Sequence, residues 1–220
     1  MIEHNSFYLY LIRHGQSEVN IQPDMVGQSG ESRLTDKGKD QAALLGERLF
    51  RKEKLSADYV FSSDYRRAAE TCSIATSFHP IVVAPSYHAE LREYSAGDWT
   101  GGSRKEIYNT LTLLRMAAMN NGFLPPNGES MHQVERRASR WLEDTVLYNE
   151  EFIRKAALGD KPNVFVFSHG MTIKCLLHYI MGFDQSFTWK VTLENTSISK
   201  LYFGAEGWRL LSINDHAHLL

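Results

Sequence analysis

Two apolar runs, far apart in the chain, each end in a histidine followed by a glycine. Phe7 to Ile12 delivers Arg13-His14-Gly15, and Asn163 to Phe167 delivers Ser168-His169-Gly170. Both runs are rich in aromatic and β-branched residues, which suit buried strands. Met171 to Met181 then reads as a helix. Strands that end in this way belong to an open α/β sheet, where ligands bind at the strands' carboxyl ends. Parallel neighbours in one sheet would bring both imidazoles to the same edge. A third run ends at Phe61-Ser62-Ser63-Asp64 and enters a helix with Arg66 and Arg67 in its first turn.

The remaining pattern extends this frame. Strands are expected at 7–12, 58–62, 81–83, 163–167, 197–203 and 208–213, and helices at 36–52, 65–77, 104–120, 130–155 and 171–181. Their alternation implies a mostly parallel sheet with helices on both sides. Gly204-Ala205-Glu206-Gly207 reads as a hairpin turn, which makes the sheet edge antiparallel. Thr35 is placed to N-cap the first helix. Leu124-Pro125-Pro126-Asn127-Gly128 separates the 104–120 helix from the 130–155 helix. Segment 100–130 reads as a small helical cap inserted over the sheet edge of a single domain, residues 1–220. Tyr108, Leu113, Leu114, Met116, Met119 and Phe123 are its expected core; any that face the pocket would favour an organic phosphate with an apolar part.

Composition narrows the partners. At 220 residues with a formal net charge of −2, the chain shows no basic stripe for nucleic acid. No apolar stretch reaches the roughly 20 residues needed to span a bilayer. Met1 to Ser6 lacks the basic-then-apolar pattern of a secretory signal. Cys72 and Cys175 sit among apolar neighbours and read as reduced core thiols of a cytoplasmic protein.

The residue types at the strand ends suit one chemistry. Cleavage of a phosphate monoester needs charge neutralisation, an in-line nucleophile and a proton for the leaving alkoxide. His14 can attack if one ring nitrogen is deprotonated and the other donates to a backbone carbonyl. Arg13 and Arg67 can grip the non-bridging oxygens. His169 can donate to the same oxygens, with Asn20 and the Gly170 N–H as further donors. Glu93, in Leu91-Arg92-Glu93, is the acidic residue placed to protonate the leaving group. The plainer alternatives are that Glu93 pairs with Arg92, and that Arg66 is a surface charge. Ser17 and Ser168 read as turn hydroxyls, since Gly-x-Ser-x-Gly is absent.

The set resembles the histidine phosphatase superfamily, branch 1, which includes the cofactor-dependent phosphoglycerate mutases. The likeness runs through Arg13-His14-Gly15 with Ser17 and Asn20, and through Leu34-Thr35 with Gly38. It continues through Ser62-Ser63-Asp64 with Arg67-Ala68 and Glu70-Thr71, and Leu91-Arg92-Glu93 with Gly97 and Trp99. Gly128-Glu129-Ser130, Ser168-His169-Gly170 and Asn195 with Ser197 complete it. By that register Arg67, not Arg66, is the phosphate ligand. Gln16, Thr100 and the stretch 28–33 depart from the family pattern, at the rim. The resemblance implies a phosphohistidine on His14, no metal or other cofactor, and a three-layer α/β/α sandwich. The expected partner is a small phosphorylated metabolite, with a phosphoprotein as a further candidate. A mutase would share every catalytic residue, but it needs extra cap cations, and Arg104, Lys105 and Arg115 are the basic residues of 100–130. A silent binding protein on the same fold would not need the full set.

Overall fold

The computed structural model describes residues 6–27, 29–81, 84–157, 161–184 and 186–220. The described elements are β1 (Phe7–Arg13), α1 (Asp36–Gly46), β2 (Tyr59–Ser63), α2 (Arg66–Thr76), β3 (Ser86–His88), α3 (Arg104–Ile107) and α4 (Thr110–Met119). They continue with α5 (Met131–Leu142), α6 (Glu150–Ala157), β4 (Asn163–Ser168), α7 (Gly170–Met181), α8 (Phe187–Lys190), β5 (Ile198–Gly204) and β6 (Gly207–Asp215).

The six strands form one sheet in the order β3-β2-β4-β1-β5-β6. The first four of these are parallel, while β5 pairs antiparallel with both β1 and β6. This is the expected mixed sheet between helices, with its hairpin edge at Ala205-Glu206. The core follows from the two-residue period of β1. Phe7, Leu9 and Leu11 pack with Trp141 and Leu142 of α5 and Ile173, Leu176 and Leu177 of α7. Tyr10 and Ile12 face the other way, onto Leu45, Leu49, Phe50, Cys72 and Ala75 from the α1–α2 layer.

Register brings the two histidines together. Arg13 pairs with Ser168, so His14 and His169 leave adjacent parallel strands at the same level. Ser62 pairs with Phe167, which sets Ser63 beside them. The His14 loop then packs on the first turn of α1, whose N-terminus Thr35 caps by accepting from the Gly38 N–H at 3.1 Å. The approach admits no side chain: a Cβ on Gly15 would lie 2.5 Å from the Gly38 carbonyl oxygen.

Several boundaries differ from the sequence reading. Val82 and Val83 of the 81–83 strand lie outside the described residues; the strand beside β2 is Ser86–His88. The 130–155 helix is two helices joined through a π-helical turn, Glu143–Leu147, and it breaks where Asn149 accepts from the Phe152 N–H at 3.0 Å. The 104–120 helix likewise breaks at Asn109, which caps α4 by accepting from the Thr112 N–H. Helix 36–52 is continuous, but its last six residues are π-helical. The cap core is corrected too. Leu113, Leu114 and Met119 are exposed, and no residue of α4 is buried. The apolar cluster there is Trp99 with Tyr108 and the buried Phe123. Both cysteines are free and buried, and burial pushes their thiols up. No described helix is long and apolar enough to cross a membrane.

Candidate active site

His14 is fully buried, and its ring is held by both nitrogens. Nδ1 donates to its neighbour's carbonyl, Gly15 O, at 2.7 Å. Nε2 therefore carries the lone pair, and it accepts from Arg67 Nε at 3.2 Å. Burial first, then the charges of Arg67 and Arg13, hold the imidazole well below its ordinary pKa. This is a neutral imidazole whose lone pair lies on Nε2. Asn195 Nδ2 and the Thr196 N–H both donate to the His14 carbonyl and fix the loop behind it.

His169 stands beside it, with ring centroids 5.1 Å apart. Its Nε2 lies 2.9 Å from Ser63 Oγ. Ser63 Oγ also accepts from the Tyr65 N–H, and we assign its own proton to His169 Nε2. That tautomer leaves an N–H on Nδ1, which is buried and has no protein partner. Arg13 Nε and Arg67 Nη2 are also buried without a partner. Both arginines are otherwise anchored: Arg13 Nη1 donates to Leu193 O at 2.5 Å, and Arg67 Nη1 to Ser29 O at 2.8 Å. Native proteins rarely leave such donors unmet, since each costs about 1–3 kcal/mol. Three such donors beside His14 suit the oxygens of an anion. Burial pulls Arg67 down to about 10, which still leaves it charged at neutral pH.

The remaining sequence candidates border this centre. Asn20 Oδ1 accepts from Ser17, which leaves its amide N–H groups for the cavity that it lines. Gly170 opens α7, and the two N–H groups after it, of Met171 and Thr172, donate to the Glu93 carboxylate at 3.2 and 3.3 Å. Glu93 also accepts from the Tyr94 N–H and lines the same cavity, whose volume is about 390 Å³. Its neighbour Arg92 pairs with Asp64, not with Glu93. Arg66 pairs with Glu70 on the α2 surface, which leaves Arg67 as the inward arginine. Ser168 donates to Leu91 O and Ser17 to Asn20, so both hydroxyl protons are engaged by the protein itself. Among the described residues no group of three or more His, Cys, Asp or Glu converges as a metal site.

Sequence reasoning missed the supporting residues. Ser63 meets His169 Nε2, and Thr71 accepts from the Gly15 N–H at 3.0 Å. Arg137 donates to the carbonyls of Glu90 and Glu93 and pairs with Glu129, clamping the turn that carries Glu93. Ser63 and Thr71 lay within quoted motifs, but Arg137 is one of several arginines on α5 and had no local signal.

The neutral histidines make an acid-stability prediction. In the unfolded chain each titrates near 6.5, whereas burial depresses His14 and His169 in the folded state. Below pH 6.5 the unfolded state binds protons that the folded state excludes, so stability falls as pH falls. The loss should lie between about pH 7.5 and 5.5, where the unfolded-state imidazoles take up their protons. Urea unfolding in phosphate-free buffer should show this fall, and His169→Asn should reduce it. A flat profile over that interval contradicts the neutral assignment.

Comparison with known proteins agrees with this geometry. The family model for the histidine phosphatase superfamily, branch 1, matches residues 9–216. A Salmonella choleraesuis protein named probable phosphoglycerate mutase GpmB is 27% identical over 227 residues, covering 96% of this chain and 94% of that one. The solved structure of a mycobacterial glucosyl-3-phosphoglycerate phosphatase with VO3 is 26% identical, with a TM-score of 0.76, covering 94% of this chain and 98% of that one. A structure titled mycobacterial hydrolase 1 has a TM-score of 0.79 at 27% identity, covering 96% and 99% of the two chains. With the strand-end histidines, their arginines and this match over nearly the whole length, the chain belongs to branch 1 of the histidine phosphatase superfamily.

Proposed function

We propose that this chain hydrolyses phosphate monoesters of small metabolites through a phosphohistidine on His14. The observation that carries the reading is the set of unmet donors, Arg13 Nε, Arg67 Nη2 and His169 Nδ1, beside a histidine whose Nε2 lone pair accepts only from Arg67 Nε. The phosphoryl oxygens take those donors, with Asn20 and the Gly170 N–H beside them. His14 Nε2 forms the N–P bond as the ester P–O bond breaks. The departing oxygen takes its electron pair and a proton from the Glu93 carboxyl. Water then attacks phosphorus and gives its proton to the Glu93 carboxylate. The N–P bond breaks, and the lone pair returns to Nε2.

Hydrolysis is favoured over mutase transfer by the cavity's charge. Of the basic residues in 100–130, Arg104 lines it, whereas Lys105 and Arg115 do not. We read 100–130 as the cap on a single domain, which places Tyr108 and Met116 against the substrate. The two buried free thiols fit a cytoplasmic enzyme.

p-Nitrophenyl phosphate should be hydrolysed, and activity should survive EDTA, because Arg13, Arg67 and His169 supply the positive charge. Vanadate should inhibit by taking the same donors. Loss on chelation with recovery on adding a divalent ion contradicts the mechanism. Interconversion of phosphoglycerates faster than hydrolysis would favour the mutase reading.

A further inference from the structure

We infer that the ester this site turns over best has an apolar alcohol portion with no second anionic group. The inference rests on the phosphatase reading above and adds the substrate class. Three features of the cavity beyond those donors carry it.

The first is the chemistry of its walls. Met25, Tyr94, Tyr108, Met116, Met171 and Trp189 line the cavity. Thioethers and aromatic rings reward burial of apolar surface and adapt to irregular shapes. At about 390 Å³ the space lies within the range of pockets that enclose whole organic ligands.

The second is charge. Among the described lining residues Arg104 is the one cation and Glu93 the one carboxylate. Arg104 is already partly engaged. Its Nε donates to Pro23 O at 3.0 Å, and its guanidinium lies over the Tyr108 ring, 5.4 Å from the centroid. A carboxylate or second phosphate on the substrate would be desolvated here with one tethered partner and Glu93 in the same wall.

The third is α4. Met116 faces the cavity, and Leu113 and Met119 lie three residues to either side on the same helix face. They are 52% and 50% exposed. Trp189, on the opposite side of the chain's order in α8, is 61% exposed although it lines the cavity. An alkyl or aryl group reaching past Met116 would cover this surface.

The test is kcat/KM for ethyl, butyl and hexyl phosphate, with 3-phosphoglycerate as the anionic comparison. The alkyl leaving groups differ little in acidity, so chain length reports wall contact alone. The series should rise by about fourfold per methylene until the cavity is filled. Hexyl phosphate should then exceed ethyl phosphate by on the order of 10²-fold and should also exceed 3-phosphoglycerate. Met116→Ala and Trp189→Ala replace partly exposed side chains, so folding should persist, and each should flatten the slope. A flat or falling series, an unchanged slope in both variants, or 3-phosphoglycerate as the best substrate overturns the inference. His14→Ala run alongside separates the two levels. Turnover that needs His14 but ignores chain length sinks the substrate class alone, and turnover independent of His14 sinks the phosphatase reading with it.

Discussion

His14→Ala is expected to lower turnover of any phosphate ester by roughly 10⁴–10⁶-fold. The imidazole divides one difficult displacement into two, and nothing else in the site can take its place. Ser17 and Ser168 are each committed to a hydrogen bond elsewhere. The residual rate would come from Arg13, Arg67 and His169, which still stabilise charge on a phosphoryl group attacked by water. Vanadate should still bind the variant, which shows that the fold and the donors survive. Retention of more than about a tenth of wild-type activity would mean that the nucleophile lies elsewhere.

Glu93→Gln is the second large effect, and its signature is selectivity. General acids typically contribute 10²–10⁴-fold. An alkoxide needs a proton as it departs, whereas p-nitrophenolate hardly does. Single-turnover phosphorylation by an alkyl phosphate should therefore fall by about that factor, and by far less with p-nitrophenyl phosphate. Glutamine keeps an oxygen to accept from the Met171 and Thr172 N–H groups, so the turn before α7 should hold. Equal losses on both substrates would reduce Glu93 to a structural cap of α7.

Much of this was legible because the fold writes its site at strand ends. The β1 and β4 runs are long, apolar and bounded by His-Gly, so strand, edge and chemistry were read together. Arg67 was separable from Arg66 only by motif register; the structure adds the physical reason, since one arginine points into the core and the other meets Glu70. Two helix breaks were not read, although Asn109 and Asn149 are good N-caps, because the apolar period continues past both. The cap failed differently. Helical spacing of Leu113, Met116 and Met119 reads as a buried stripe, but spacing reports a face and not what covers it. Here the face borders the substrate cavity. Arg137 was invisible because its partners, the carbonyls of Glu90 and Glu93, lie more than forty residues away in sequence.

The central claim is a phosphoryl group carried on His14 Nε2. Rapid quench with a ³²P-labelled ester, under alkaline conditions and followed by peptide mapping, tests it directly. The account predicts one label per chain at most, stable to base, lost in acid, mapping to the peptide that contains His14 and absent from His14→Ala. A label that survives acid, or that maps to Ser17, Ser168 or His169, contradicts it.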